Sequence, residues 1–397
     1  MQDSKIKLAL YTDPAFQSSA GIEQYTRKLI QGICESDVAG SFVFFSTRAV
    51  WAAELASMVQ ASPASARPSI VMRAVPRRRL KLTWAFAGFP SIERMVGQEL
   101  ALVHNPSAFP IPARCCPLLI TVHDVFPIKD PSLMALRDRV NLWPQMLSTA
   151  ICRANHIIAD SENTKRDVHE LFKQQLDKIT VVPLGVDHDV FKPVDDTALV
   201  RRVTGKYGID GKFILYVGSL YARKVGKLLD GYKIACAPSP AHCKLVMVGG
   251  RESRTTRGED IRTRIVELGL EDKVILTGVV PREDLPVLMS AAEVFVYVSF
   301  FEGFGLSPLE AMACGAPVVV SNATSLPEVV GDAGFLVDPI DERAIAGAIT
   351  RVLSDPRLQE KMSQNSLRRA ALFSWEKTVQ QTLNVYRKVA QCTGGKD

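Results

Sequence analysis

Short apolar runs rich in branched and aromatic residues alternate along the chain with helical stretches. In the first half the runs are Ile6–Thr12, Phe42–Ser46, Ile70–Ala74, Leu100–His104, Leu118–His123, His156–Ala159 and Ile179–Pro183. In the second they are Phe213–Val217, Lys244–Val248, Val274–Thr277, Val294–Val298, Val318–Ser321 and Phe335–Val337. This alternation predicts βαβ units and parallel sheets. Between the two sets, Leu184-Gly-Val-Asp-His-Asp-Val-Phe-Lys-Pro193 has no periodicity and carries Gly and Pro, which suits a linker. No fixed-period repeat is visible. The fold class is therefore α/β, with two Rossmann-like doubly wound domains spanning 1–189 and 190–373. Such sheets, facing a central cleft, would bind ligands at their strand C-terminal edges.

Composition narrows the classes. With 397 residues, 47% of them hydrophobic and 23% charged, the chain argues against long disorder, collagen or coiled coil. No run of 18 apolar residues lacks a charge, so no spanning helix is expected. The N-terminus runs straight into strand-like sequence without an apolar signal core, which predicts a cytoplasmic protein. The eight cysteines include no Cys-x-x-Cys and no zinc spacing, so reduced thiols and no metal are expected.

The net charge of +6 is unevenly spread. No acid lies between Glu54 and Glu93, a window holding Arg67, Arg73, Arg77, Arg78, Arg79 and Lys81 among Leu80, Leu82, Trp84, Phe86 and Phe89. Two readings stand. One is a solvated basic face beside a core segment. The other is a peripheral patch on an anionic membrane surface, with Trp84 and Phe86 at the interface. No recognition-helix, RRM or zinc-finger pattern supports a nucleic-acid partner.

The most informative segment is Ser299-Phe-Phe-Glu302-Gly303-Phe304-Gly305-Leu306-Ser307-Pro308-Leu309-Glu310-Ala-Met-Ala-Cys-Gly315. It reads strand, glycine turn, helix, glycine stop. Ser307 suits an N-cap, Pro308 the first helical position, and Glu310 the far side of a capping box. Glu310 therefore has a purely structural reading. The other reading puts an anionic phosphate on the helix N-terminus and sugar hydroxyls on the two carboxylates. Gly303 and Gly305 would let backbone approach a ligand closely.

This Glu-x7-Glu segment resembles the signature of glycosyltransferase family 4, retaining enzymes of GT-B fold. Val217-Gly218-Ser219-Leu220-Tyr221-Ala222-Arg223-Lys224 resembles that family's donor-diphosphate loop. Val248-Gly249-Gly250, Thr277-Gly278-Val279 and Ser325-Leu326-Pro327-Glu328-Val329 follow in family order, as do Thr121-Val122-His123-Asp124 and Ser161-Glu162-Asn163-Thr164-Lys165. The chain departs from the pattern twice: Val225 stands where Asn is usual, and Ala20 replaces the first of two glycines, leaving Gly21. The Gly-x-Gly-x-x-Gly of a dinucleotide site is absent at that turn.

The resemblance implies roles. Arg223 and Lys224 would neutralise a nucleotide diphosphate, Glu302 would contact the donor sugar, and Glu310 the ribose. Gly21, Ser219, Gly303, Phe304, Gly305, Leu306 and Ser307 would line the donor, with Gly250, Gly278 and Val279 bordering the base. His123 would lie near the reacting sugar. Asp124 would orient it, contact the acceptor or cap the next turn. The last segment, 374–397, would form a helix from Ser374-Trp375 on which Trp375 and Tyr386 pack, returning toward the N-terminal half.

The reaction so implied is a metal-independent, retaining transfer of a hexose, with no cofactor beyond the nucleotide-sugar donor. The motifs most resemble bacterial mannosyltransferases of polysaccharide assembly, such as those of lipopolysaccharide O-antigen. GDP-mannose is therefore the expected donor and a lipid-linked saccharide the expected acceptor. Alternatives are a UDP-sugar-dependent transferase of the same family and a nucleotide-sugar 2-epimerase. Asp187-His188-Asp189 matches the Asp-x-Asp of metal-dependent transferases but lies in the linker, so no metal is expected there.

Overall fold

The computed structural model describes residues 7–16, 20–75, 80, 82–131, 143–220, 222–236, 243–250 and 261–391. Each apolar run becomes a strand. The first set gives β1 (Lys7–Tyr11), β2 (Phe42–Ser46), β3 (Ser69–Met72), β4 (Leu100–Asn105), β5 (Leu118–Val122), β6 (His156–Ala159) and β7 (Ile179–Val181). The second gives β8 (Phe213–Val217), β9 (Lys244–Val248), β10 (Val274–Gly278), β11 (Val294–Tyr297), β12 (Val318–Ser321) and β13 (Phe335–Val337). Every pairing is parallel, in the orders β3-β2-β1-β4-β5-β6-β7 and β10-β9-β8-β11-β12-β13. In each sheet the order reverses beside its first strand, the arrangement of a doubly wound fold. Strands β2 and β5 are buried at every position, as expected for parallel strands covered on both faces.

The chain forms two compact units. One comprises residues up to Leu184 together with the last helix from Trp375; the other is Gly185–Ser374 with Asp130 and Pro131. The change-over thus falls five residues before the expected boundary. The reason lies in the packing of the supposed linker. Val186 pairs with Ser374, Phe191 is buried beneath the Arg282 guanidinium, and Val194 N–H donates to Ser290 Oγ. These residues are part of the second unit.

In the first unit the helix Trp375–Gln391 packs on the helix Ala20–Glu35 and on β4. Gly32 makes the helix contact possible, since a Cβ there would sit 2.6 Å from Val379 Cγ2. Trp375 and Tyr386 are buried, and Thr378 Oγ1 donates to Pro183 O at 2.8 Å. In the second unit the helices Ala222–Cys236 and Glu342–Ser354 meet where Gly231 faces Ile345. Asp196, Asp341 and Asp355 cap helices there through their carboxylates. Among the described residues no helix is long and apolar enough to cross a membrane.

Candidate active site

Strand β11 leads into the Glu302 loop. Hydroxyl groups hold this loop at several points. Tyr297 Oη donates to Glu302 Oε1 at 3.1 Å, and Glu302 N–H donates to Thr324 Oγ1 at 3.1 Å. Ser325 Oγ lies 2.9 Å from Glu302 O and 2.8 Å from Phe304 O, and Ser321 Oγ donates to Ser299 O at 2.6 Å. Thr324 holds φ at +54°, costly for a β-branched residue. Its position under the Glu302 amide is the local reason for that conformation. Phe304 is buried edge-on against Phe373, at 6.0 Å between centroids.

The helix after this loop corrects one expectation. It runs Leu306–Ala313 with Gly305 as N-cap, and no side chain caps it. Gly305 takes φ +117°, and a Cβ there would meet Leu326 Cδ2 at 2.6 Å. A glycine can make this turn, so the chain is already helical at Leu306. Ser307 is thus in the first turn rather than the cap, and no capping box with Glu310 forms. Glu310 lies deeper in the helix, 8% exposed, which removes its purely capping role.

Gly218, Ser219, Gly250, Gly278 and Val279 gather at the C-terminal ends of β8, β9 and β10. Gly218 N–H donates to Val248 O and Gly249 N–H to Gly278 O, both at 2.9 Å. Gly249 lies against Gly218 O so closely that a Cβ would reach 1.9 Å. Ser219 O accepts from Tyr216 Oη at 2.9 Å. Val279 is exposed and packs near Gly250. Arg223 and Lys224 stand in the first turn of the helix Ala222–Cys236, but their side chains lie outside the described residues. Val225, the departure from the family pattern, is buried in the core.

In the first unit, His123 follows β5. Its Nδ1 lies 2.6 Å from Asp160 Oδ2 and its Nε2 3.1 Å from Pro106 O. Asp160 is 1% exposed, and its other oxygen, Oδ1, is buried without a hydrogen-bond partner. Both imidazole nitrogens therefore face acceptors. Burial alone would lower the His123 pKa. The charge and hydrogen bond of Asp160, the bond to Pro106 and the charge of Asp124 outweigh it and raise the value. Tyr25, one helical turn after Gly21, meets the His123 ring edge-on at 5.2 Å. Behind it runs a buried chain: Tyr25 Oη to Thr121 Oγ1 at 3.1 Å, Thr121 Oγ1 to His104 Nε2 at 2.9 Å, and His104 Nδ1 to Tyr386 Oη at 2.7 Å. Burial, helped by the charge of His123, lowers the His104 pKa to about 3. Asp124 Oδ1 accepts from Phe126 N–H at 3.3 Å, the turn-capping arrangement.

Several of these partners escaped the reading of the sequence. Asp160 was within reach. Val122 and Ala159 are register partners on β5 and β6, so the next residues, His123 and Asp160, emerge side by side. Tyr216 and Tyr297 read as ordinary core aromatics, and nothing in the motif distinguishes their hydroxyls.

The basic window also needs correction. Trp84 is 1% exposed and donates from Nε1 to Pro90 O at 2.9 Å, so it is core rather than interface. The exposed side chains are Leu82, Phe86 and Phe89. Arg94 covers Phe89, while Arg153 donates to Trp84 O and Ala85 O and Arg114 to Ala87 O. Arg77, Arg78, Arg79 and Lys81 lie outside the described residues. The Asp187-His188-Asp189 stretch is a turn whose His188 Nε2 contacts Phe373 O, and among the described residues no cluster of three or more His, Cys, Asp or Glu could hold a metal.

Known proteins match both units. Residues 20–190 match Glycosyltransferase Family 4, and residues 201–369 match Glycosyl transferases group 1. The O-antigen chain mannosyltransferase B of Escherichia coli is 36% identical over 289 residues, covering 72% of this chain and 74% of that protein. A D-inositol 3-phosphate glycosyltransferase of Acidothermus cellulolyticus is 34% identical over 280 residues, covering 68% of this chain and 62% of that protein. The structure of sucrose-phosphate synthase from Thermosynechococcus elongatus superposes with a TM-score of 0.71 at 24% identity, covering 98% of this chain and 100% of that one. With two parallel Rossmann-like sheets and matches along both, the chain belongs to glycosyltransferase family 4 and is a glycosyltransferase of GT-B fold.

Proposed function

We propose that the enzyme transfers mannose from GDP-mannose, with retention at the anomeric carbon, to a hydroxyl of a lipid-linked oligosaccharide in bacterial surface-polysaccharide assembly. The kinship with an Escherichia coli O-antigen mannosyltransferase supports the sugar and the setting. The observation that carries the chemistry is the Glu302 loop, whose carboxylate and backbone are both held by hydroxyls immediately before a glycine-capped helix. In this reading Glu302 binds the donor sugar and Glu310 the ribose. Gly303, Phe304, Gly305, Leu306 and Ser307 approach the phosphates, and Ser219, Gly250, Gly278 and Val279 line the rest of the nucleotide sugar.

The barrier lies in parting an oxocarbenium-like sugar from an anionic leaving group. Preorganised positive charge at the departing phosphate lowers it. Arg223, Lys224 and the helix N-terminus at Leu306 supply that charge without a metal or other cofactor. The C1–O bond to phosphate breaks, a C1–O bond to the acceptor forms on the same face, and the acceptor's proton passes to the departing phosphate. His123 is engaged at both nitrogens, by Asp160 Oδ2 and by Pro106 O, so neither nitrogen is turned toward a substrate as base. Its part, with Asp124, is to shape the acceptor side.

The test is a thermal-shift panel of GDP, UDP, ADP and TDP with their common sugars, followed by transfer assays read by anomeric NMR. A ligand at a hundred times its Kd stabilises the fold by about 2.7 kcal/mol. Guanine nucleotides should give the largest shift. A preference for uridine replaces GDP-mannose by a UDP-sugar, donor epimerised without acceptor favours the 2-epimerase, and activity lost to EDTA and restored by manganese removes the metal-independent mechanism.

We also propose peripheral docking on an anionic membrane surface on the cytoplasmic side. Leu82, Phe86 and Phe89 form the apolar tip, and Arg94, Arg114 and Arg153 stand beside it, with Arg77, Arg78, Arg79 and Lys81 adjacent in sequence. Basic residues near such a surface contribute roughly 1 kcal/mol each. Co-sedimentation with phosphatidylglycerol vesicles should weaken in high salt, in Arg77, Arg78 and Arg79 all changed to Ser, and in Leu82, Phe86 and Phe89 all changed to Ser. Binding indifferent to lipid charge rejects the patch.

A further inference from the structure

Two buried tyrosines on neighbouring strands tie together the loops assigned above to the diphosphate and to the sugar. Tyr216 on β8 is fully buried and Tyr297 on β11 is 3% exposed. Their rings stack with centroids 5.5 Å apart and planes 9° from parallel. Phe295, on the same side of β11, continues the stack at 6.2 Å and 9°. Each hydroxyl leaves the stack toward a different loop. Tyr216 Oη donates to Ser219 O at 2.9 Å, fixing the turn that leads to Arg223 and Lys224. Tyr297 Oη donates to Glu302 Oε1 at 3.1 Å. Gly218 rests on both rings: a Cβ there would meet Tyr216 Oη at 2.9 Å and Tyr297 Cε2 at 3.2 Å.

We infer that Tyr216 and Tyr297 act as one positioning piece that sets the spacing between the diphosphate loop and the Glu302 carboxylate. In a nucleotide sugar the diphosphate and hexose are joined by a single bridging oxygen, so the two binding loops must be held in mutual register. Planar rings in contact in a close-packed core resist sliding, and each carries a hydroxyl outward to one loop. Neither tyrosine touches the reacting atoms; each acts through the group it holds. This inference rests on the donor assignment proposed above and adds what aligns the two parts of that site.

The test uses the whole enzyme and substitutions that keep both rings. Tyr297→Phe should lower kcat for the nucleotide sugar about tenfold while leaving the Kd of the bare nucleoside diphosphate unchanged. Tyr216→Phe should raise that Kd several-fold and change kcat less. In a Glu302→Ala background, Tyr297→Phe should cost no more than about twofold, because the residue through which it acts is gone. Gly218→Ala, which wedges the stack, should impair both quantities. Melting temperatures of the two Phe variants monitor the fold. Wild-type kcat in Tyr297→Phe, or the same proportional loss of affinity and turnover in both Phe variants, overturns the inference. A wild-type chain that binds none of the nucleoside diphosphates overturns the donor assignment and this inference together, whereas one that binds and transfers normally isolates the tyrosines' part.

Discussion

His123 in the first unit and Glu302 in the second both follow the C-terminal end of a central strand, yet they are anchored in opposite ways. His123 is held through its side chain, with a buried carboxylate on one ring nitrogen and a carbonyl on the other. Glu302 is held largely through its backbone, by Thr324 and Ser325, with one tyrosine hydroxyl on its carboxylate. An ion pair with a buried partner is costly to break, because the remaining charge loses its compensation. A carboxylate steered by hydroxyls keeps its place when its charge is removed. The first arrangement ties the residue to stability, the second to chemistry.

The largest expected effect follows from that contrast. His123→Ala strands the Asp160 carboxylate and should cost about 3–5 kcal/mol, read as a fall in chemical-denaturation midpoint. A variant as stable as wild type would erase the distinction between the two regions. Next, Glu302→Gln keeps an oxygen for Tyr297 and should leave the melting temperature unchanged while lowering kcat about a hundredfold, through loss of a charge-assisted bond to sugar. A large stability loss here would make the regions alike. Glu310→Gln should weaken nucleotide binding several-fold without the stability loss expected of a broken cap, because Gly305 starts that helix.

A smaller effect separates the titrating groups. His104 is held neutral, with its pKa lowered to about 3. Between there and the unfolded value of about 6.5, the unfolded chain binds a proton that the fold does not. Its contribution is therefore present above about pH 6.5 and lost as the pH falls toward 3. His123, raised instead, contributes below about pH 6.5 and loses that contribution as the pH climbs through its folded value. Melting curves from pH 5 to 9 should find His104→Gln less acid-sensitive than wild type and Asp160→Asn less sensitive on the alkaline side. Parallel curves for all three would refute both assignments.

The strands were legible because parallel strands buried on both faces leave unbroken apolar runs, as in Phe42–Ser46 and Val318–Ser321. The carboxylate pair was legible as a spaced motif. What the sequence concealed depended on contacts distant along the chain. Ser307 looked like a cap until Gly305, at φ +117°, began the helix two residues earlier than an N-cap at Ser307 requires. Trp84 looked like an interface residue until its indole found Pro90 O. Asp160 emerges only from strand register, and the tyrosine stack from the pairing of β8 with β11.

The placement of the last helix has a consequence for how the protein is made. Trp375–Gln391 supplies Val379 against Gly32, Tyr386 against His104 and Thr378 against Pro183, all partners in the part of the first unit that the ribosome makes first. Domains generally fold as units in order of synthesis. Here the earlier unit emerges with its Gly32 seam and the His104 nitrogen uncovered, and stays so while the whole later unit is translated. A nascent chain arrested just before Trp375 should therefore carry a protease-resistant second unit and a protease-sensitive first one. Supplying the missing helix as a separate peptide should restore resistance to the first.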